Sequence, residues 1–338
     1  MAAEAGHRDS RGPVIALTGA TGFLGSHIAD ALLADGYQVR ASVRPTSDLR
    51  WLEGKDIETV TVDLADPASC ATFVRGARAV IHCAGRVTAD NDQQYLHANA
   101  ETTRALLAAC RREWHPRGGG VFQLISSLAA HGPAGLDNPA REEDPCRPIT
   151  GYGRSKVAAE KLLLDHDHPF RTVVLRPPAL YGPRDPAFLP LMKAALRGWT
   201  VSFGGPMQGL SLVHGRDAAR AVVALLEHTG AEGVFFVDDG HKGYSWEDLA
   251  TALSIACGRK VRRISIPLGL WKFIAALLRP VTGGGISVLR KDRLRDLDVP
   301  GWVCDGSRLH EITDFTAEYD AAAGFADTLA FYREQQWL

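Results

Sequence analysis

The sequence lacks the features that mark several specialised classes of protein. Its six cysteines, among 338 residues, form no Cys-x-x-Cys pair and no cluster, so neither a disulfide framework nor a zinc or other metal site is expected. This cysteine usage favours free thiols in a reducing cytoplasm. The 38 basic and 39 acidic residues leave a net charge of −1, which gives no reason to expect nucleic acid or an anionic membrane as a partner.

Long hydrophobic runs are also missing. The best candidate for a membrane span, residues 264–278, is too short to cross a bilayer and contains Pro267 and Lys272. Apolar residues recur at helical spacing over 270–278. This stripe is interpreted as core packing, as a wall over a hydrophobic substrate, or as a peripheral membrane contact through residues 268–279.

What the sequence does contain is an alternation of strands and helices. The apolar run Val14–Leu17 is typical of a buried parallel strand, and a helical pattern and a second strand follow it. Repetition of this unit predicts an α/β fold with a doubly wound parallel sheet. After a polar tail over 1–12, the sheet domain is expected over 13–180. A smaller, irregular substrate-binding part is expected over 181–338, from which the chain can cross back to the sheet.

The predicted elements have clear boundaries in several places. Strands are expected in the segments 37–43, 57–64, 77–85, 120–127, 171–178, 233–239 and 261–267, and helices over 93–113, 155–164, 187–197, 217–229 and 246–257.

Three glycines lie between the first strand and the first helix. Gly19 allows a tight turn, Gly22 lets backbone N–H groups approach a pyrophosphate, and Gly25 lets the helix pack closely on the strand. The helix N-terminus then faces the phosphates with its partial positive charge. The loop therefore predicts a dinucleotide-binding Rossmann domain, although a purely structural turn would use the same glycines.

The spacing of these glycines, together with "HCAG" at 82–85, Asn99 and "LRPPALYGP" at 175–183, resembles the extended branch of the short-chain dehydrogenase/reductase superfamily. The branch includes NAD-dependent epimerases and dehydratases. The resemblance implies a small-molecule substrate, a nicotinamide cofactor and a homodimer formed by helices near 93–113 and 152–166. The cofactor-binding residues it implies are Gly19, Thr21, Gly22, Phe23, Leu24, Gly25, Asp63, Leu64, Ala84, Tyr152, Lys156 and Pro178.

The end of the second strand indicates which nicotinamide cofactor is bound. Val43 stands where an NAD enzyme usually presents an acid to the ribose, and Arg44 follows it, with Arg40 nearby. A guanidinium can bind a 2′-phosphate, so NADP(H) is preferred, with NAD(H) as the alternative; Arg44 could also be a solvated loop residue. Asp63 resembles the superfamily's adenine-contacting acid and could equally form a turn.

Tyr152 and Lys156 are four residues apart and so share one face of a helix. A nearby ammonium favours the phenolate, which would make the tyrosine a usable general acid and base. Ser127 lies 25 residues before Tyr152, where the resemblance implies a substrate-orienting serine, and Ser127 is preferred to Ser126. By resemblance the catalytic residues are Ser127, Tyr152 and Lys156. Asn99 either positions a water or marks a helix kink.

The substrate is expected to be apolar. Nucleotide-sugar epimerases of the superfamily carry an asparagine and an arginine for the sugar nucleotide where this chain has Ala179 and Leu210. The Arg-Pro-Pro stretch instead resembles dihydroflavonol reductases and the 3β-hydroxysteroid dehydrogenase branch. The resemblance implies an oxidoreductase acting on a hydroxyl or ketone of a steroid-, flavonoid- or polyketide-like molecule. The alternatives are a nucleotide-sugar or hopanoid-associated sugar epimerase with tightly bound NAD(P), and a non-catalytic NADP-binding regulatory protein.

Three other polar patterns are interpreted as structural. The Asp-His-Asp-His run at 165–168 precedes a proline at a helix end, and the charge run 141–144 is expected to be a solvated loop. His214 lies just before a predicted helix and is expected to be structural or to line a pocket.

Overall fold

A computed structural model of the protein describes residues 12–114, 119–205, 207–267 and 297–338, with the single residues 269 and 295. The apolar stripe at 270–278 lies outside the described residues, as does most of the segment 268–279. Among the residues that are described, no helix has both the length and the apolar character needed to cross a membrane.

The strands of the described ranges form one large sheet and three small ones. In the large sheet, seven parallel strands are arranged in the order β11–β6–β5–β4–β1–β2–β3. The bounds are β1 Val14–Thr18, β2 Gln38–Val43, β3 Ile57–Thr61, β4 Ala79–His82, β5 Val121–Ile125, β6 Arg171–Arg176, β7 Ala179–Tyr181, β8 Trp199–Gly204, β9 Gly209–Leu210, β10 Leu212–His214, β11 Gly233–Phe236, β12 Tyr244–Ser245, β13 Arg262–Pro267 and β14 Gly301–Trp302.

Helices cover both faces of the large sheet. Their bounds are α1 Phe23–Ala34, α2 Pro67–Val74, α3 Asp92–Leu96, α4 Thr102–Trp114, α5 Leu128–His131, α6 Gly151–Leu164, α7 Leu189–Leu196, α8 Gly215–Glu227, α9 Trp246–Cys257, α10 Ser307–Thr313 and α11 Ala321–Glu334, with a π-helical segment His97–Glu101 between α3 and α4.

Alternate residues of each central strand point to opposite faces of the sheet. In β1, Ile15 and Leu17 pack with the apolar residues of α1 and α8, while Ala16 packs with those of α2, α4 and α6. Burial on both faces is what makes these strands continuously apolar. The predicted doubly wound parallel sheet is therefore confirmed.

Residues beyond 180 contribute to the sheet and also form a core of their own. Strand β11 pairs in parallel with β6 and becomes the seventh strand of the sheet. A separate apolar cluster joins α7, α9 and α11 around the buried rings of Tyr181, Phe325 and Tyr332. The division of the chain at residue 180 stays a prediction.

The helix expected over 93–113 is interrupted. Residues His97–Glu101 are π-helical, and such a turn with one extra residue often occurs at functional sites. Asn99 lies within this turn and is buried. The continuous helix was therefore wrong in this detail, whereas the kink at Asn99 was one of the two predicted alternatives.

Candidate active site

The glycine loop brings helix α1 close to the end of β1. A Cβ atom on Gly25 would lie 2.0 Å from the carbonyl oxygen of Gly19, and Gly19 itself has a positive φ of 76°. Gly22 differs from both, since its Cβ would meet only that same oxygen at 3.3 Å. Gly19 and Gly25 are required by the fold, whereas the space beside Gly22 is open to a ligand.

Helix α1 begins with unused hydrogen-bond donors. Gly22 is its N-cap residue and supplies no side-chain acceptor. The N–H groups of the first turn therefore point towards the space beside Gly22. An uncapped helix N-terminus next to an open glycine is a binding site for a phosphate group, so the described residues fit the pyrophosphate of a dinucleotide.

The loop after β4 lies directly beside this turn. The N–H group of Ala84 donates to the hydroxyl of Thr18 at 3.1 Å, and the same hydroxyl lies 2.7 Å from Nδ1 of His82. Burial, and secondarily the charge of Lys156, lowers the pKa of His82 to about 3. Residue His82 is therefore neutral and fixes the position of Ala84 next to the glycine loop.

The two arginines near the end of β2 have different environments. Arg40 donates to the carboxylate of Glu58 at 2.7 Å and to the carbonyl oxygens of Phe73 and Arg75. Arg44 is exposed just past the strand, and its guanidinium has no hydrogen-bond or ion-pair partner among the described residues. Of the two, Arg44 is the one able to accept a ligand.

Asp63 forms a turn after β3. One carboxylate oxygen accepts the N–H group of Ala65 at 2.9 Å, and the backbone N–H of Asp63 donates to the hydroxyl of Ser69. Asp63 itself is exposed and Leu64 half-buried. The turn is observed, and the contact with adenine remains a prediction.

The two serines at the end of β5 point to different surroundings. The hydroxyl of Ser126 is buried and donates to the carboxylate of Glu160. Ser127 is half-buried and caps α5, where its Oγ accepts the N–H group of Ala129 at 3.1 Å. The proton of the Ser127 hydroxyl is therefore left for another acceptor, while that of Ser126 is used within the protein.

Tyr152 and Lys156 lie in the first turns of α6, which begins earlier than predicted because Thr150 caps it. The ammonium nitrogen of Lys156 lies 5.9 Å from the ring centre of Tyr152 and donates to the carbonyl oxygen of Ile125 at 2.8 Å. Since Ile125 ends β5, Lys156 is held next to the strand that leads into Ser127. Burial lowers the pKa of Lys156 to about 8.

Asn99 joins the π-helical turn to this region. Its side-chain amide accepts from the backbone N–H of Arg86 at 2.8 Å and donates to the Arg86 carbonyl oxygen at 3.1 Å. It also donates to the hydroxyl of Ser155, which in turn donates to the carbonyl oxygen of Tyr152. The side chain therefore connects the loop after β4 to the first turn of α6.

Sequence reasoning missed a buried ion pair behind these residues. Arg176, at the end of β6, donates to both carboxylate oxygens of Glu160, at 2.9 and 2.6 Å. The side chains are only 2–3% exposed. Glu160 follows Lys156 by one helical turn, which was the available signal, but nothing in the sequence places Arg176 opposite it.

The other polar patterns have mixed outcomes. His214 is buried, stacks on Tyr319 with 4.1 Å between ring centres, and lies 3.3 Å from the carboxylate of Asp327, which favours the structural one of its two predicted roles. Within the described parts of the chain, no group of His, Cys, Asp and Glu residues could hold a metal ion.

The expectation for the charge run 141–144 was wrong in part. Glu142 is half-buried and accepts the N–H group of Phe236 at 2.9 Å, and its burial raises the pKa of its carboxyl group. Since Phe236 ends the edge strand β11, the loop covers this edge of the sheet. A carboxylate that satisfies an edge N–H group is structural, not merely solvated.

Two cavities lie beyond Ser127, between the loop that follows α5 and the small sheet of β9, β12 and β14. One has a volume of about 560 Å³ and includes His131 and Arg147, and the other has a volume of about 350 Å³ and includes Trp246. Leu136 and Gln208 line both cavities. Neither cavity is lined by Ser127, Tyr152 or Lys156.

The fold and the site define the class of the protein. A doubly wound sheet, an open glycine loop before α1 and a Ser-Tyr-Lys set at the end of β5 and the start of α6 are the features of an NAD(P)-dependent enzyme of the extended short-chain dehydrogenase/reductase type. The chain belongs to the NAD dependent epimerase/dehydratase family, whose sequence model matches residues 15–237.

Individual relatives are similar over much of the chain. A ceramide reductase from Caulobacter vibrioides is 29% identical over 98% of this chain and 97% of the relative. A UDP-glucose 4-epimerase from Vibrio cholerae is 31% identical over 78% and 81% of the two chains. A decarboxylating sterol-4-alpha-carboxylate 3-dehydrogenase from Dictyostelium discoideum is 28% identical over 66% and 70%.

The fold is also found among solved structures. A UDP-glucose 4-epimerase from Thermotoga maritima, solved with UDP-glucose, superposes with a TM-score of 0.76. It covers 96% of this chain and 99% of its own, at 21% sequence identity. At this level of identity the likeness concerns the fold.

Proposed function

We propose that the protein is an NADP(H)-dependent oxidoreductase that transfers hydride between the nicotinamide and a hydroxyl or ketone of an apolar molecule. The observation that carries this proposal is the convergence of Ser127, Tyr152 and Lys156 where β5 meets α6. Ser127 has a hydroxyl proton to donate, Tyr152 has a proton to exchange, and Lys156 carries a charge beside the tyrosine. Retention of all three disfavours a non-catalytic NADP-binding protein.

The residues of the chain divide the reaction between them. A nicotinamide bound at the glycine loop would supply the hydride that reduces the carbonyl carbon. Ser127 donates a hydrogen bond to the carbonyl oxygen, and Tyr152 transfers its phenolic proton to that oxygen as the alcohol forms. The Lys156 ammonium stabilises the resulting phenolate until it regains a proton from solvent. In the direction of oxidation each proton moves in reverse.

The preference for NADP(H) rests on Arg44. Its exposed guanidinium is unpaired among the described residues and follows Val43, which carries no charge to repel a phosphate. Arg40, already bonded to Glu58, supports the fold rather than the cofactor. We assign the adenine contact to Asp63 and Leu64, and the nicotinamide side to Ala84 and Pro178.

The proposal of an apolar substrate rests on two positions that lack the polar side chains expected for a sugar nucleotide. Ala179 and Leu210 offer no hydrogen bond to a sugar nucleotide, and Leu210 packs on the apolar cluster around Tyr181. Relatives named for ceramide and for sterol carboxylate support a ketone or alcohol carried on a lipid-sized apolar body.

A nucleotide-sugar epimerase is the second candidate, favoured by the relative named UDP-glucose 4-epimerase. Such an enzyme would oxidise and re-reduce its substrate on a tightly bound NAD(P), with no net consumption of cofactor. Dimerisation through the helices near 93–113 and 152–166, and a cytoplasmic location, are retained as predictions.

One assay separates the two candidates. The purified protein is incubated with NADPH and either a 3-oxoceramide-type lipid, a steroid ketone or a flavonoid ketone, and the decrease in NADPH absorbance is followed. UDP- and dTDP-sugars are tested in parallel, with the epimers separated by chromatography. We expect NADPH consumption with at least one apolar ketone, whereas epimerisation of a sugar nucleotide without net cofactor oxidation would refute the proposal.

A further inference from the structure

A buried polar network lies directly behind the proposed catalytic residues and joins β5, α6 and β6. Ser126, at the end of β5, donates to the Glu160 carboxylate on α6, and Arg176, at the end of β6, binds both oxygens of the same carboxylate. A charge this deeply buried is costly unless it is fully paired. Nη2 of Arg176 also donates to Sγ of Cys146 at 3.0 Å, whereas Nη1 is buried without a hydrogen-bond partner among the described residues.

Two residues of the network are close in sequence to proposed catalytic residues. Ser126 precedes Ser127, and its backbone N–H group donates to the Leu175 carbonyl oxygen at 2.7 Å. With its hydroxyl held by Glu160, Ser126 points to the core, so the next residue of the extended chain points to the opposite side. Glu160 follows Lys156 by one helical turn, so the bond to Arg176 also fixes the rotation of α6.

We propose that Glu160, held by Ser126 and Arg176, is a positioning residue that orients Ser127 and Lys156 for proton transfer. The proposal rests on the proposed oxidoreductase activity and extends it to residues that do not touch the substrate. Glu160 also acts through its charge, since a carboxylate on the same helix favours the protonated form of the Lys156 amine.

Two other titratable groups lie near Lys156. Burial raises the pKa of Cys83, after β4, to about 11, so this thiol is uncharged where Lys156 titrates, and the neighbouring His82 is also neutral. Tyr152 lies one turn before Lys156 on the same helix. Of these groups, Glu160 is the carboxylate, and removing its charge should lower the pKa of Lys156 further below about 8.

The test compares three single variants. Glu160→Gln removes the charge with little change of shape, Ser126→Ala removes one hydrogen bond only, and Glu142→Gln is the control. Glu142 is a partly buried carboxylate outside this network, bonded to the N–H group of Phe236. We measure kcat, the KM values, the midpoint of thermal unfolding and the pH dependence of kcat.

Glu160→Gln should lower kcat on the order of 100-fold, since small misplacements of reacting groups have effects of this size. The loss of activity at high pH should move to lower pH, and the KM for NADPH should rise less than kcat falls, because the glycine loop is untouched. Ser126→Ala should lower kcat by about tenfold without moving the pH profile, since the charge stays in place.

Wild-type kcat and pH profile in Glu160→Gln, or the same losses in Glu142→Gln, would overturn the proposal. If Glu160→Gln does not fold, Ser126→Ala decides, and an unchanged kcat there refutes it. The pKa of Lys156 is measured separately from the pH dependence of its acylation, followed by mass spectrometry. This measurement needs no substrate, so a failure of the oxidoreductase assignment is distinguishable from a failure of the positioning role.

Discussion

Replacement of Arg44 by alanine should weaken the binding of NADPH and leave the fold unchanged. The guanidinium is exposed and has no partner among the described residues, so its loss leaves no buried group unpaired. Coulomb's law gives ~1 kcal/mol for two unit charges about 4 Å apart in water, and therefore ~2 kcal/mol for the dianionic 2′-phosphate of NADPH. This corresponds to a dissociation constant about 30-fold higher for NADPH, with little change for NADH.

The dissociation constants of NADPH and NADH are measured by titrating each cofactor into the protein, followed by intrinsic fluorescence or by calorimetry. Because the proposed contact with the 2′-phosphate would lie in solvent, the difference in NADPH affinity between wild type and Arg44→Ala should shrink as salt rises from about 0.05 M to about 0.5 M. Arg50→Ala is the matched control, since Arg50 lies on the same exposed loop but its guanidinium already binds Asp48. Equal weakening of NADPH and NADH by Arg44→Ala, or no weakening of either, would refute the reasoning.

Two further predictions concern the glycine loop and Lys156, the proposed active-site lysine. Gly22→Ala should weaken cofactor binding with little loss of thermal stability, whereas Gly25→Ala should lower both, because its Cβ would lie 2.0 Å from the Gly19 carbonyl oxygen; similar melting temperatures for the two variants would contradict this. Activity that depends on the Lys156 ammonium should decline as pH rises through about 8. Burial lowers the pKa of Lys156 from 10.5 to about 8. Between about pH 8 and pH 10.5 the unfolded chain therefore holds a proton that the folded chain has lost. In this range the contribution of Lys156 to the free energy of unfolding rises with pH. The measurement is kcat/KM and the melting temperature, each recorded from about pH 6 to about pH 10. Activity should be lost before any loss of stability from Lys156. A flat activity profile across about pH 8 would contradict the assignment.

The sheet was predictable because its signals are local. Each central strand is a short apolar run bounded by turn residues, and the glycine loop lies at a fixed place between strand and helix. The spacing of Tyr152 and Lys156 on one helix face follows from helix geometry alone. These features need no knowledge of which strands are neighbours.

The buried ion pair could not be predicted in the same way. Arg176 ends the apolar segment of β6, where a charged residue usually marks the exposed end of a strand. Its partner Glu160 lies on α6, and the two meet only because α6 packs beside the ends of β5 and β6. The different roles of Ser126 and Ser127 depend on this contact, so the structure was needed to separate them.

The π-helical turn at Asn99 and the burial of Glu142 have the same explanation. The sequence over 93–113 has an ordinary helical pattern, and the extra residue is accommodated where Asn99 bonds the backbone of Arg86. Glu142 is drawn into the structure by an edge N–H group of β11. In each case a contact distant in sequence decided the local conformation.

The hydroxyl group of Tyr152 provides the most direct test of the proposed chemistry. Tyr152→Phe keeps the ring and its contact with Tyr95, whose centre lies 6.1 Å away, and removes only the proton donor. The matched control is Tyr95→Phe, because the Tyr95 hydroxyl donates to the Val87 carbonyl oxygen at a long 3.5 Å and is given no part in proton transfer. Turnover and NADPH affinity are measured for both variants with the same ketone substrate. Tyr152→Phe should lower kcat by about 100-fold or more, the usual size of a general acid's contribution, while NADPH still binds and Tyr95→Phe stays near the wild-type rate. A wild-type rate in Tyr152→Phe would contradict the account.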